Sequence, residues 1–505
     1  MTHPHPPRRA VLAALGASLL PTLSHSADAP HAWRSSYTPY NGPLKAPLAS
    51  GPLPVRGRWP AALQGTLYRI GPARRELGGV AMNHWFDGDG MLQAFRFEGG
   101  NLSTATSPRI SHRGALLATP KLTAEEAAGR LLYSGFATTL PNSPPLSGPD
   151  DVNPANINLL ALPARKELFA LWEAGSALAV DPVTLQPQGF KAWSPETRGA
   201  PFSAHPRVAP DGTVWNFGYV PGSGKLLVYD IAPTGQLRRQ HVLTTEQADM
   251  VHDFAITERH LVFLLMPLKF NGQPGAGSPL PHYRWEDKAP LVVLLVGKAD
   301  FKVQRFELPA TGLFHLANAW EEGGTVQVRF VAQPDILTAL RHLNVDAPRS
   351  TSVAAATQWA HITLNPSTGQ ARLETPGLAH VEFPRIHPAR NGLPTRFTTL
   401  LGRSPGMDAQ VQGFDTVLTL QGDKTPQRHR YGAGWIAEEH VYIPASTTAP
   451  EGRGWVLGTA YHWPTERTTL SVFDAQAVNA GPVASVTLPY GLPLGLHGQF
   501  VAAGA

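Results

Sequence analysis

The chain has 505 residues, and its 48 Gly and 49 Pro make up about a fifth of it, where average usage gives nearer an eighth. Turns are therefore abundant and long helices scarce, while 42% hydrophobic against 16% charged residues argues for a real core and against disorder. Cysteine is absent, which excludes disulfides, thiolate metal sites and cysteine nucleophiles, and the net charge of +5 gathers into no basic run of the kind that binds nucleic acid.

At the N-terminus, Arg8-Arg9 stands directly before an apolar stretch from Ala10 to about Leu23. Those fourteen residues are too few to cross a bilayer, which takes about 20. Small residues follow at Ser24-His25-Ser26-Ala27. Residues 1–26 therefore read as a twin-arginine-type export signal of a bacterial protein, the alternative being an ordinary secretory signal, and the expected location is periplasmic or exported. Removing them takes away two arginines and no acidic residue, moving the charge from +5 to +3. Residues 27–505 contain no linker or low-complexity break and are expected to form one domain.

Short apolar runs bounded by Gly, Pro, Asp or Asn recur along that domain. They fall at Gly65–Ile70, Leu168–Trp172, Thr213–Phe217, Leu261–Leu265, Leu291–Val296, Thr325–Phe330 and Trp455–Ala460, each about strand length. Helical periodicity is brief, as at Thr123–Leu132. The pattern predicts an all-β fold, and its length without a break favours a closed radial architecture over one sandwich. No crisp internal repeat counts the blades. The segment His84-Trp85-Phe86-Asp87-Gly88-Asp89-Gly90 offers two carboxylates, but reads best as a tight turn in which Asp side chains accept from backbone amides and the glycines take positive φ.

Four of the 20 histidines sit in similar settings, among apolar or small residues near strand ends: His205, His252, His315 and His497. Strands converging on an axis could bring their imidazoles to one ion. On spacing alone, a hydrogen-bonded buried histidine is the simpler reading of each. Ser203 and Asp253 beside two of them suggest a triad, but no G-x-S-x-G nucleophile elbow accompanies them.

The stretch Gly65-Thr66-Leu67-Tyr68-Arg69-Ile70-Gly71-Pro72, followed by His84–Leu92, strongly resembles the opening blade of the carotenoid cleavage oxygenases. That family includes carotenoid and apocarotenoid oxygenases and lignostilbene dioxygenases. Ser203-Ala204-His205-Pro206, His252-Asp253-Phe254, Phe314-His315 with Ala317-Asn318-Ala319, and Leu496-His497-Gly498 match its four iron-ligand motifs in order. The resemblance runs from roughly residue 45 to residue 500. It implies a seven-bladed β-propeller with an axial metal site and a cap of loops and short helices. It also implies one Fe(II) per chain held by His205, His252, His315 and His497, dioxygen as co-substrate, and glutamates that accept the other N–H of three ligands. Glu173 and Glu382 match two of these, and Glu451 is taken as the third, although its segment departs from the acidic pair the family often shows there.

Four neutral ligands leave an ion its full charge and two open cis positions, unlike a two-histidine, one-carboxylate triad. The outer carboxylates fix each ring's tautomer and raise its basicity. The implied reaction is oxidative cleavage of one C=C bond into two carbonyl products, with no general acid or base required. Stilbene cleavers of the family hold a phenol through a Tyr and a Lys before the first ligand. Here the Tyr position falls near Leu116 and Gly135-Phe136-Ala137 shows no Lys, which favours an apolar polyene substrate over a stilbene. Apolar stretches at Gly114–Ala118 and Gly135–Leu140 raise peripheral membrane contact as an expectation, with ordinary packing as the alternative. A non-catalytic propeller would be expected to have lost ligands, and all four are present.

Overall fold

The computed structural model describes residues 48–101, 104, 106–273, 277–345, 356–407, 411–422 and 424–504. The export segment read in residues 1–26 lies outside them. Seven antiparallel sheets of four or five strands follow one another along the chain and form the blades of a propeller. The strand nearest the axis in blades one to seven is, in turn, His497–Ala502, Asn158–Leu162, Arg207–Val208, Phe254–Ile256, Gly312–Glu322, Val381–Ile386 and Trp435–Pro444.

The ring is closed by exchange of chain ends. The C-terminal strand His497–Ala502 pairs with Gly65–Arg74 in the first blade, while the early strand Val55–Gly57 completes the last blade against Ala484–Thr487. Each end of the described chain is thus stitched into the other's neighbour, which removes the open edges a linear stack would expose.

The blades' central strands explain the unalternated runs in the sequence. Both faces of a blade are covered by its neighbours, so both faces must be apolar. In the fourth blade, Leu261, Phe263 and Leu265 pack with Phe217 and Val228 of the third. The intervening Val262 and Leu264 pack with Leu316, Val328 and Phe330 of the fifth. Outer strands meet water and alternate instead, as in Val303–Leu308, where only Phe306 and Leu308 are buried.

Two α-helices occur among the described residues, and neither is long and apolar enough to cross a membrane. The first spans Pro120–Ala128, three residues earlier than the periodicity suggested. Thr119 caps it by accepting from the Leu122 amide at 3.2 Å, Pro120 takes the first turn, and Gly129 ends it at φ +64°. The second, Ile336–His342, was not anticipated; it buries Ile336, Leu337 and Leu340.

The acidic turn is structural. Asp87 accepts from the Ala137 amide at 3.2 Å and the Thr138 hydroxyl at 2.6 Å, which fixes the 135–138 loop. Asp89 pairs with Arg74 at 2.9 Å and Lys121 at 2.8 Å. The glycines do not take positive φ here. Gly90 is needed for close approach, since a Cβ would come within 2.3 Å of the Ala155 carbonyl oxygen.

Candidate metal centre

The axis strands carry the site, and irregularities in their ladders aim its side chains. In the fifth blade the register slips between Leu313 and Leu316, and His315 lies in the slip. In the sixth it slips between Glu382 and Arg385, with Phe383 at φ +54°; in the seventh it slips between Ala437 and His440, around Glu438 and Glu439. Such bulges turn a side chain out of the strict in–out alternation, here toward the axis. His205 and His252 come from the segments just before their strands, and His497 opens its own.

The four imidazole rings are neighbours, with His497 outside the group of three whose ligand atoms lie closest. Ring centroids of His205 lie 4.5 Å from His252, 5.2 Å from His315 and 4.9 Å from His497, and His315 lies 4.9 Å from His497. The Nε2 atoms of His205 and His252 stand 3.0 Å apart, and the ligand atoms of His205, His252 and His315 fall within 4.8 Å of one another.

Three of the rings are oriented from behind. His252 donates from Nδ1 to Glu173 at 2.9 Å, His315 to Glu382 at 2.6 Å, and His497 to Glu439 at 2.9 Å. A carboxylate on Nδ1 fixes the tautomer that leaves the Nε2 lone pair facing inward. The His315 Nε2 is buried and has no hydrogen-bond partner.

The charge around this centre is unbalanced. Glu173, Glu382 and Glu439 bring three carboxylates to the ring, and Arg385, 3.5 Å from Glu439, is the guanidinium beside them. Arg207 is spent on Asp253, gripping both its oxygens at 2.7 Å. Burial and the neighbouring imidazoles push His205 well below its ordinary pKa, and burial takes His497 down to about 4. Burial also works to lower His315, but Glu382 reverses it and raises the group above its ordinary value. Imidazole nitrogens facing one another and an excess of two carboxylates over guanidinium fit one divalent cation.

The family model described as RPE65, retinal pigment epithelial membrane protein, matches residues 44–502. The chain belongs to this family, the carotenoid cleavage oxygenases. It is 30% identical over 472 residues to the apocarotenoid-15,15'-oxygenase of Synechocystis sp., covering 88% of this chain and 92% of that one. It is 27% identical over 492 residues to lignostilbene-alpha,beta-dioxygenase isozyme III of Sphingomonas paucimobilis, covering 89% and 94%. The solved structure of cobalt-substituted Synechocystis apocarotenoid oxygenase superimposes with a TM-score of 0.81 at 26% identity, covering 94% of this chain and 99% of that one. Its relatives place the chain among the dioxygenases as an enzyme.

One residue assignment from the sequence needs correction within this family frame. Glu451 is not the partner of His497. Its carboxylate is occupied by the Thr395 hydroxyl and the amides of Arg396 and Phe397 at 2.9–3.0 Å, holding the turn before strand Phe397–Gly402. Glu439 takes the His497 role, and Arg385 and His497 override burial to hold its carboxyl down at about 2. The legible signal was the acidic pair Glu438-Glu439 between apolar residues of a buried strand. Leu116, where the phenol-holding Tyr position was expected, packs with Leu48, Ala73 and Met91 in the first blade. Ser203 and Asp253 form no triad, since the Ser203 hydroxyl accepts from the His205 amide at 3.1 Å and Asp253 belongs to Arg207.

The wall beside the ring is hydrocarbon. Phe314 meets the edge of His252 at 5.4 Å, and Phe383 lies 5.2 Å from His315 and 5.4 Å from His497. Phe383 shares one apolar cluster with Trp85, Phe86, Trp172, Ile157 and Leu496.

Proposed function

We propose that the chain is a non-haem Fe(II) dioxygenase that cleaves one C=C bond of an apocarotenoid or carotenoid into two carbonyl products. The observation that carries this reading is the convergence of His205, His252, His315 and His497, three of them backed by carboxylates, with two negative charges left over. These four would hold the ion through Nε2. When bound, it would supply activation of dioxygen beside an electron-rich alkene.

The chain's own residues do the rest. Glu173, Glu382 and Glu439 hold Nδ1 protons in place, so each imidazole stays neutral on its inward face. Phe314 and Phe383 exclude water from the reacting side and offer flat faces to a flat polyene. No side chain has to move a proton, because both product oxygens end as carbonyls.

For the substrate, the apolar wall favours a polyene. Lys121, the lysine close to the expected phenol-binding segment, is committed to Asp89 at 2.8 Å and Glu125 at 3.0 Å. A phenol buried against this wall without partners would cost about 1–3 kcal/mol. The alternative is a lignostilbene-type enzyme, supported by the isozyme III relative at 27% identity. A competition between an apocarotenal and a hydroxystilbene, with Fe(II) and air, distinguishes them by mass spectrometry of the aldehydes. Polyene aldehydes are expected; aromatic aldehydes alone would overturn the carotenoid reading. Export through the Arg8-Arg9 signal belongs to the same proposal, and a mature N-terminus near Ala27 in the periplasmic fraction would be its mark.

A further inference from the structure

We propose that Tyr219 is a positioning residue for the metal centre: its phenol pins Glu173, and through Glu173 it fixes the ring of His252. This rests on the reading that the four histidines hold a metal ion.

The three carboxylates are not secured alike. Glu382 lies inside strand Val381–Ile386 and also accepts from the neighbouring Phe383 amide. Glu439 lies inside strand Trp435–Pro444, accepts from the Gly498 amide at 2.8 Å and faces Arg385. Glu173 lies beyond the end of strand Glu167–Leu171, so no ladder fixes its backbone. Its side chain is 20% exposed, against 7% for Glu382 and 1% for Glu439. One oxygen accepts from His252 at 2.9 Å; the other accepts from the Tyr219 hydroxyl.

Tyr219 is well placed to do this. It is the last residue of strand Val214–Tyr219, paired opposite Leu226, and its ring is buried and stacked on Phe217 with centroids 6.4 Å apart. The phenol in the third blade therefore holds a carboxylate from the second against a histidine that leads into the fourth. A hydroxyl donating to a carboxylate is among the stronger hydrogen bonds. Without it, the Glu173 oxygen loses its partner on a loop that gives it freedom to turn toward water, and the His252 ring loses its backing.

Tyr283 provides the control. It is buried like Tyr219, but its hydroxyl donates to the Asp249 carbonyl at 2.9 Å and not to Glu173. The experiment uses the full chain stripped of metal, with Co(II) affinity read by competition against a chromophoric chelator. Loss of an outer hydrogen-bond partner typically costs 10–100-fold in metal affinity, so one bond further out about three- to tenfold is expected for Tyr219→Phe. Tyr283→Phe should leave the affinity within about twofold of the parent, a margin well inside that range. Both changes keep the ring, and melting of the stripped proteins checks that each is folded. In a Glu173→Gln background, Tyr219→Phe should add nothing further. An unchanged affinity in Tyr219→Phe, or an equal loss in the Glu173→Gln background, would overturn the proposal. A parent protein that takes up no Co(II) would instead overturn the metal reading itself.

Discussion

Two clusters of buried charge sit in this propeller, and they are built on opposite principles. Beneath helix Pro120–Ala128, the buried Arg74 and Lys121 face the buried Asp89 and Glu125 and the exposed Glu126, with every contact between opposite signs at 2.8–3.9 Å. At the axis, three carboxylates face one guanidinium and four clustered imidazoles, three of which bring ligand atoms within 4.8 Å of one another. In the first cluster each buried carboxylate has a cation against it. In the second, three carboxylates share one guanidinium, which fits the proposed cation. A cation against each buried carboxylate, more than burial or the presence of carboxylates, separates the structural cluster from the proposed metal centre.

That contrast can be broken most severely at the axis. Replacing His315 by Ala should reduce bound metal from one ion per chain to almost none and lower turnover by at least about 100-fold, read by elemental analysis and product formation. The stripped variant should also melt lower than the stripped parent, because the buried Glu382 loses the Nδ1–H it accepts at 2.6 Å.

The helix cluster should respond the other way. Lys121→Met leaves Asp89 and Glu125 short of a counter-charge and should cost about 3–5 kcal/mol in denaturant unfolding while metal content is retained. Burial favours loss of the Lys121 proton, but Asp89 and Glu125 more than reverse this and raise its pKa above the ordinary 10.5. The group's contribution is therefore fully present below pH 10.5 and is lost as pH rises through the higher folded value. Unfolding at a series of alkaline pH values should show the gap between parent and variant closing only above pH 10.5.

A smaller effect sharpens the assignment of the outer carboxylates. Glu439→Gln should weaken metal binding by about 10–100-fold, whereas Glu451→Gln should leave it unchanged and lower stability through the loosened turn. Equal losses of affinity in both would contradict the division of roles between them.

The sequence made some of this legible and hid the rest for physical reasons. The runs Leu261–Leu265 and Leu291–Val296 announced strands covered on both faces, and the four histidine motifs named the ring before any coordinates did. The number of blades came only from the family resemblance and not from the strand pattern, because blades repeat a backbone pattern and not a set of side chains. Glu439 was missed because its aim depends on a register slip between Ala437 and His440, which strict alternation does not foresee. The helix start was written in Thr119-Pro120, a cap followed by a first-turn proline, and the periodicity alone drew the eye three residues too far along.

The central claim is that one divalent ion is held by four neutral imidazoles and by no carboxylate of the chain. X-ray absorption at the iron edge of the anaerobic Fe(II)-loaded protein tests it most directly. The account predicts scattering from four imidazoles, with any oxygen in the shell supplied by exchangeable solvent, and loss of one imidazole in His497→Ala. A shell of three imidazoles and a protein carboxylate that is unchanged in that variant would contradict it.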